Sequence, residues 1–217
     1  MNIEQARFNM IEQQIRPWDV LDPGVLSLLA VVKREDFVPA AYRALAFVDT
    51  EVPLPAGQSM LAPKVEARLL QHLAVHKHER VLEVGAGSGY MAALLGHKAQ
   101  QVTTLDIVPE LVAFARANLQ RSGTMNVNVR EADGSRGLPE EGPFDVILLS
   151  GSVPEVPPAL LAQLKVGGRL AAIVGQLPIM RAMLFTRATE HDFGSVALFD
   201  TVAPRLSGFD EPSRFKF

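Results

Sequence analysis

The sequence predicts an α/β fold built on a doubly wound, mostly parallel sheet of seven strands. Five short apolar runs alternate with segments of helix length, and they begin at Val81, Val102, Val127, Phe144 and Gly168. This alternation is typical of a parallel sheet covered by helices on both faces. Two further runs, 182–186 and 196–202, follow without room for a helix between them. They predict an antiparallel hairpin at one edge of the sheet.

The segment that precedes the first predicted strand has a different composition. Apolar residues in 2–16 recur mostly at helical spacing and stop before Pro17, and a second short helix is predicted for 25–32. Residues 49–63 are rich in proline and glycine and predict a loop, and a loop of this length inside a compact fold is usually functional. We therefore expect a single domain, in which 1–63 form a helical extension with a substrate loop and 64–217 form the α/β core.

The core contains four further predicted helices. Three of them cover 64–73, 110–121 and 158–164, and the fourth runs from the glycine-rich turn through Leu95. In the extension, Lys33, Arg34 and Arg43 are interpreted as a solvated helix face, with a weak positive patch as the alternative.

Composition excludes several classes of function. The 217 residues contain no cysteine, which rules out disulfides, zinc-thiolate sites and thiol catalysis. With a net charge of −3, the chain lacks the excess of positive charge that is typical of proteins that bind nucleic acids. The spacing of the histidines indicates no metal site. No run approaches the ~20 apolar residues of a membrane helix, and the first residues do not resemble a signal peptide. We therefore expect a cytoplasmic protein that does not bind membranes.

The turn after the first predicted strand indicates a ligand site. Glycines stand at 85, 87 and 89, and glycine lets a ligand lie against the backbone. In open α/β sheets such a turn lies outside the carboxyl ends of the strands, where ligands bind. The spacing is not the Gly-x-Gly-x-x-Gly of dinucleotide folds, and no Gly-Lys-Ser/Thr of a P-loop follows. Glu83 on the strand adds a carboxylate, which suits a cationic amino-acid group better than a pyrophosphate.

Two more carboxylates end the next two predicted strands. Asp106 is placed to accept hydrogen bonds from ribose hydroxyls, and Asp133 is placed to receive an adenine amino group. In this order, Glu83, the glycines, Asp106 and Asp133 resemble the S-adenosyl-L-methionine site of class I methyltransferases, which have a Rossmann-like sheet. The predicted cofactor-binding residues are Glu83, Gly85, Ala86, Gly87, Ser88, Gly89, Asp106, Ile107, Asp133 and Gly134.

Motifs outside this set carry a more specific resemblance. The stretches 33–39, 52–55, 57–63, 133–139, 142–147, 156–164 and 167–170 resemble the protein-L-isoaspartate O-methyltransferase family, in uninterrupted order over about residues 8 to 175. The resemblance implies methyl transfer from S-adenosyl-L-methionine to the free α-carboxylate of an isoaspartyl residue in a damaged protein or peptide. The ester then collapses to a succinimide that opens in part to normal aspartate. We expect a monomer or weak dimer.

The loop that the resemblance assigns to the substrate departs from the family pattern. Gln58, Ser59, Met60 and Leu61 are its predicted substrate-binding residues, and Leu61 stands where the family has an active-site serine. Ser59 and Leu61 are thus the two candidate catalytic positions. If the loop is extended, Ser59 faces the same side as Leu61, which is two residues later, and can supply a hydroxyl there. The alternatives are another carboxylate or small-molecule acceptor, or a protein that binds the cofactor without catalysis.

Overall fold

The computed structural model describes residues 2–209. Met1 and residues 210–217, which belong to the predicted segments 1–63 and 64–217, lie outside the described residues. The chain begins with α1 (Ile3–Met10), continues as a π-helical turn (Ile11–Ile15) and ends its first helical stretch in a 3-10 turn (Arg16–Trp18). The predicted helix over 2–16 is therefore α-helical only in its first half.

The rest of the extension contains one α-helix and a short hairpin. Helix α2 (Pro23–Val31) begins at an N-cap in which Asp22 accepts a hydrogen bond from the Val25 backbone N–H at 2.8 Å. Two 3-10 segments follow, Arg34–Asp36 and Ala40–Phe47. Strands β1 (Val52–Pro53) and β2 (Ser59–Met60) then pair antiparallel. The predicted loop over 49–63 thus has an ordered backbone, which this pairing and a 3-10 turn at Pro55–Gly57 fix.

The prediction that Arg34 belongs to a solvated helix face is also wrong. Its side chain is 1% exposed. Its Nε donates to the Ala46 carbonyl at 3.1 Å, its Nη1 to Glu66 at 2.6 Å and its Nη2 to the Leu61 carbonyl at 2.7 Å. A buried charge is tolerated where it is paired and hydrogen-bonded in this way.

The seven-stranded sheet confirms the predicted fold class. Its strands are β3 (Arg80–Val84), β4 (Gln101–Asp106), β5 (Val127–Glu131), β6 (Phe144–Val153), β7 (Leu164–Gln176), β8 (Ile179–Arg187) and β9 (Phe193–Thr201), in the order β5-β4-β3-β6-β7-β8-β9. The first five strands in this order are parallel, and β8 and β9 form the antiparallel edge.

The remaining helices connect the strands. They are α3 (Pro63–Leu73), α4 (Tyr90–Lys98), α5 (Pro109–Ser122) and α6 (Pro158–Leu161). Helix α6 is shorter than the predicted 158–164, because Leu164 already pairs with Phe144 as the start of β7. Gly123 ends α5 in the left-handed conformation that favours glycine at a helix terminus.

Alternate residues of the central strands pack on opposite faces of the sheet. Val81, Val146 and Ile173 belong to the core cluster that includes buried residues of α1 to α5. Leu82 and Ile147 belong to a second, smaller cluster on the other face. Both faces of the central strands are thus buried, as is typical of parallel sheets.

The order of connections places a crevice beside β3. The chain runs from β3 outward through β4 to β5, and then crosses to β6 on the other side of β3. Where the winding direction changes in this way, the loops after neighbouring strands separate and leave room for a ligand. The carboxyl ends of β3 and β6 border that crevice.

Candidate active site

The glycine-rich turn after β3 requires its glycines at two positions. Gly85 has φ of 94° and Gly87 has φ of 50°, in the left-handed region that favours glycine. A Cβ on Gly85 would lie 2.7 Å from Leu206 Cδ2, and one on Gly87 would lie 3.3 Å from Leu54 Cδ1. Both positions therefore keep space open where the backbone meets the crevice.

Asp106, at the end of β4, fixes this turn. Its Oδ2 accepts a hydrogen bond from the Gly87 N–H at 2.9 Å, and its Oδ1 accepts one from the Val108 N–H at 3.0 Å. The side chain is 7% exposed and lines the crevice. A carboxylate has more acceptor sites than these two donors use, so it can still receive hydroxyl groups from a ligand.

Glu83 belongs to β3, which precedes the turn, and its side chain is fully buried. Its carboxylate accepts hydrogen bonds from the Ser150 hydroxyl at 2.6 Å and the Thr104 hydroxyl at 2.7 Å. Burial, together with the nearby charges of Asp106 and Glu66, raises the pKa of Glu83 to about 7, against the opposing effect of these two hydroxyls. The group is therefore poised to become fully ionised when a positive charge comes near it.

The crevice has two parts, which we call the outer cleft and the inner cavity. Including the space that is open to solvent, the outer cleft has a volume of about 580 Å³ and the inner cavity about 300 Å³. Asp106, Ile107, Ala132 and Gly134 line the outer cleft. Glu83, Ala86, Ser88 and Glu66 line the inner cavity.

The hairpin of β1 and β2 covers both parts. Gln58 and Ser59 line the outer cleft, and Ser59, Met60 and Leu61 line the inner cavity. The Leu54 N–H donates to the Gln58 carbonyl at 2.8 Å, which closes the hairpin turn. The structure thus brings all four predicted substrate-binding residues to the crevice. Ser59 is half-buried, whereas Leu61 is 5% exposed and packs with the hydrophobic core.

Two of the predicted cofactor residues lie beside the crevice rather than in its lining. Gly89 is the N-cap of α4, where an added Cβ would lie 3.2 Å from the Ala115 carbonyl oxygen. Asp133 is exposed, and its Oδ1 accepts a hydrogen bond from the Ser135 N–H at 2.9 Å. The contact of Asp133 with an adenine group therefore stays a prediction.

The sequence analysis missed the third wall of the outer cleft, which consists of residues 204–207. The Ser152 N–H of β6 donates to the Pro204 carbonyl at 2.7 Å, and the Leu206 N–H donates to the Ser152 carbonyl at 2.9 Å. Leu206 reaches over Gly85 and Gly151. The segment pairs with β6 through a single parallel bridge, and pairing this short leaves no periodic pattern in the sequence. The small residues Ser150 and Gly151, at the end of a predicted strand, are the one local feature that could have indicated a neighbouring segment there.

Comparison with known proteins identifies the family. The model of the family described as Protein-L-isoaspartate(D-aspartate) O-methyltransferase (PCMT) matches residues 5–198. The chain belongs to this family. A protein-L-isoaspartate O-methyltransferase of Koribacter versatilis is 43% identical over 181 residues, which are 83% of this chain and 81% of that protein. The protein-L-isoaspartate O-methyltransferase 2 of Marinobacter nauticus is 38% identical over 200 residues, 92% of this chain and 91% of that protein.

A solved structure supports the fold of this PCMT family member. A Plasmodium falciparum protein described as a protein-L-isoaspartate O-methyltransferase, in complex with S-adenosyl-L-homocysteine, superimposes with a TM-score of 0.79 at 22% identity. The match covers 95% of this chain and 98% of the other. At this identity the likeness concerns the fold, including the helical extension as well as the sheet.

Among residues 2–209, no three or more His, Asp or Glu side chains stand close enough together to hold a metal ion. No helix in the same range is long and apolar enough to cross a membrane.

Proposed function

We propose that this member of the PCMT family transfers a methyl group from S-adenosyl-L-methionine to the free α-carboxylate of isoaspartyl residues in proteins or peptides. The observation that carries the proposal is the open glycine turn held by Asp106 in a crevice that the β1–β2 hairpin covers. The family match supplies the acceptor class. The proteins named in the comparison are described as acting on isoaspartate, which favours this acceptor over another carboxylate or small molecule.

The residues of the crevice suit this cofactor. Added side-chain atoms at Gly85 and Gly87 would meet the walls of the crevice, so only glycine leaves room there for a ligand against the backbone. In our proposal Asp106 receives the ribose hydroxyls, Ile107 and Gly134 flank the adenine, and Glu83 with Ala86 and Ser88 holds the amino-acid end. In the same proposal Asp133 contacts the adenine from outside the lining. When bound, the cofactor supplies a methyl group attached to a positively charged sulfur, and the neutral thioether that remains is a good leaving group.

The reaction asks little acid-base chemistry of the protein. An isoaspartyl α-carboxylate is ionised at neutral pH, since carboxyl groups of this kind have a pKa near 3–4, and no general base is needed. The protein's task is to hold the carboxylate oxygen in line with the methyl group and to exclude water. We propose that Gln58 to Leu61, which line the crevice, perform this task, and that the half-buried Ser59 provides the hydroxyl that Leu61 lacks.

The domain plan follows the same division. We propose that residues 1–63 serve as the extension that carries the substrate loop, and that residues 64–217 form the cofactor-binding core. A cytoplasmic location and a monomer or weak dimer stay predictions.

The test is transfer of a radiolabelled methyl group to an isoaspartyl peptide, beside the same peptide with normal aspartate. We expect label on the isoaspartyl peptide alone, and base-labile release of that label as expected for an ester. A matched Ser59→Ala variant should lose most of the activity with unchanged cofactor binding. Cofactor binding without label on either peptide would contradict the proposed acceptor and leave a binding protein.

A further inference from the structure

Glu66 is a buried carboxylate that the proposed mechanism does not use. It lies in α3, is 3% exposed, and lines the inner cavity together with Glu83 and Leu61. Its Oε2 accepts the hydrogen bond from Arg34 at 2.6 Å. Its Oε1 has no hydrogen-bond partner among residues 2–209. Because Glu66 lines the inner cavity, this oxygen can accept a hydrogen bond from a ligand group there.

Arg34 does not line the inner cavity, although its charge partly offsets that of Glu66. All three of its nitrogen groups already donate, to the Ala46 carbonyl, to Glu66 and to the Leu61 carbonyl. No Lys, Arg or His belongs to the lining of the inner cavity in the described part of the chain. The lining therefore contains two carboxylates, Glu66 and Glu83, and no cation.

The electrostatics of the two carboxylates favour a positively charged occupant. Burial raises the pKa of Glu66 to about 7, against the opposing effect of Arg34. The charge of Glu66 in turn contributes to the raised pKa of Glu83. The charge of Glu66 therefore disfavours ionisation of Glu83 while the cavity holds no cation. A cation between them reverses this, because opposite charges nearby favour the ionised forms.

We propose that Glu66 binds the positively charged end of S-adenosyl-L-methionine, so that Glu66 and Glu83 form a two-carboxylate site in the inner cavity. The inference rests on the proposed function for the identity of the cofactor. Two groups of that cofactor are cationic, the α-ammonium and the sulfonium, and both belong to the end that enters the inner cavity. Glu66 thereby links cofactor binding to the substrate loop, because its partner Arg34 also holds the Leu61 carbonyl.

Three ligands distinguish the sources of the positive charge. S-adenosyl-L-homocysteine keeps the ammonium and lacks the sulfonium charge, and methylthioadenosine lacks both. We would measure the affinity of each ligand by calorimetry for the unmodified protein and for Glu66→Gln, whose amide oxygen can still accept from Arg34. The loss of a charge-assisted contact should weaken S-adenosyl-L-methionine binding about 10- to 100-fold.

The pattern across the ligands decides the contact. Equal weakening of S-adenosyl-L-methionine and S-adenosyl-L-homocysteine, with methylthioadenosine unchanged, would support the ammonium as the group that Glu66 binds. Weakening of S-adenosyl-L-methionine alone would support the sulfonium. Equal weakening of all three ligands would overturn the inference, since Glu66 would then act only by holding the loop, and so would no weakening at all.

Controls separate folding and the broader proposal from this contact. Glu79→Gln is the matched variant, because Glu79 is also buried and paired with an arginine, Arg169 at 2.7 Å, away from the cavity. It should leave all three affinities unchanged. If Glu66→Gln does not fold, Glu66→Asp withdraws the carboxylate by one methylene and should weaken the two charged ligands selectively. A natural protein that binds none of the ligands would overturn the proposed function itself, which the calorimetry reveals before any variant is compared.

Discussion

Replacement of Glu83 by glutamine should change how the stability of the ligand-free protein depends on pH. Glu83 is fully buried, and its folded pKa of about 7 lies above the ordinary value of 4.5. A raised folded pKa means that the folded state holds the proton more tightly than the unfolded state. The contribution of protonated Glu83 to the free energy of unfolding is therefore complete below about pH 4.5 and is lost as the pH rises through 7.

The size of the effect follows from the two pKa values. The interval from 4.5 to 7, at about 1.4 kcal/mol per pH unit, corresponds to about 3 kcal/mol of unfolding free energy. In Glu83→Gln the side chain is neutral at every pH, and its amide can still pair with the hydroxyls of Thr104 and Ser150. The difference in unfolding free energy, natural protein minus variant, should therefore fall by about 3 kcal/mol between pH 5 and pH 8.

Urea denaturation of both proteins at several pH values, without ligand, gives this difference directly. Glu79→Gln serves as the control: burial alone would raise the pKa of Glu79, but Arg169 and the backbone N–H of His76 outweigh it and lower the pKa. That carboxyl is already ionised above pH 5 in both states, so its difference should stay flat. A flat difference for Glu83→Gln as well would refute the assignment of Glu83 as a buried carboxyl with a raised pKa.

Three further substitutions test the site. Asp106→Ala removes the acceptor of two backbone N–H groups and of the proposed ribose contact, so calorimetry should show cofactor binding weaker by about 1–3 kcal/mol; unchanged affinity would contradict the ribose role. Gly85→Ala places a Cβ against Leu206 at a positive φ, which should cost about 1–2 kcal/mol of stability in denaturant titrations and reduce cofactor affinity, whereas full affinity would show that the turn has spare room. Leu61→Ser removes a buried leucine and should lower stability by about 3 kcal/mol, while turnover of an isoaspartyl peptide per folded molecule should not rise, because Ser59 supplies the hydroxyl in our proposal; a clear rise would contradict that role of Ser59.

The sequence was sufficient to predict the sheet because its strands carry a local signal. Val81 to Val84 and Phe144 to Leu149 are apolar runs in strands with both faces buried, and the glycines mark the turn that follows β3. The hairpin of β8 and β9 was predictable from the short gap between its runs. Asp106 was placed correctly at the crevice because the end of a strand fixes where its last side chain lies.

The parts that were missed depend on contacts between distant residues. Arg34 has the composition of a solvated segment, and only the carbonyls of Ala46 and Leu61 together with Glu66 make its burial favourable. The last turn of α1 changes to a π-helical turn that no pattern in 2–16 distinguishes from an α-helix. Leu206 lies beside Gly85 in space, although more than half the length of the chain separates the two residues in sequence.

The wall formed by residues 204–207 has a consequence for biosynthesis. Ribosomes make the glycine turn, Asp106 and the whole parallel half of the sheet well before Pro204 and Leu206 are added. A nascent chain can therefore assemble most of its hydrophobic core while its cofactor crevice still lacks one side. The protein gains its complete ligand site only after β9 has been made, so an interrupted product that stops after β9 would keep the sheet and lose one wall of the crevice.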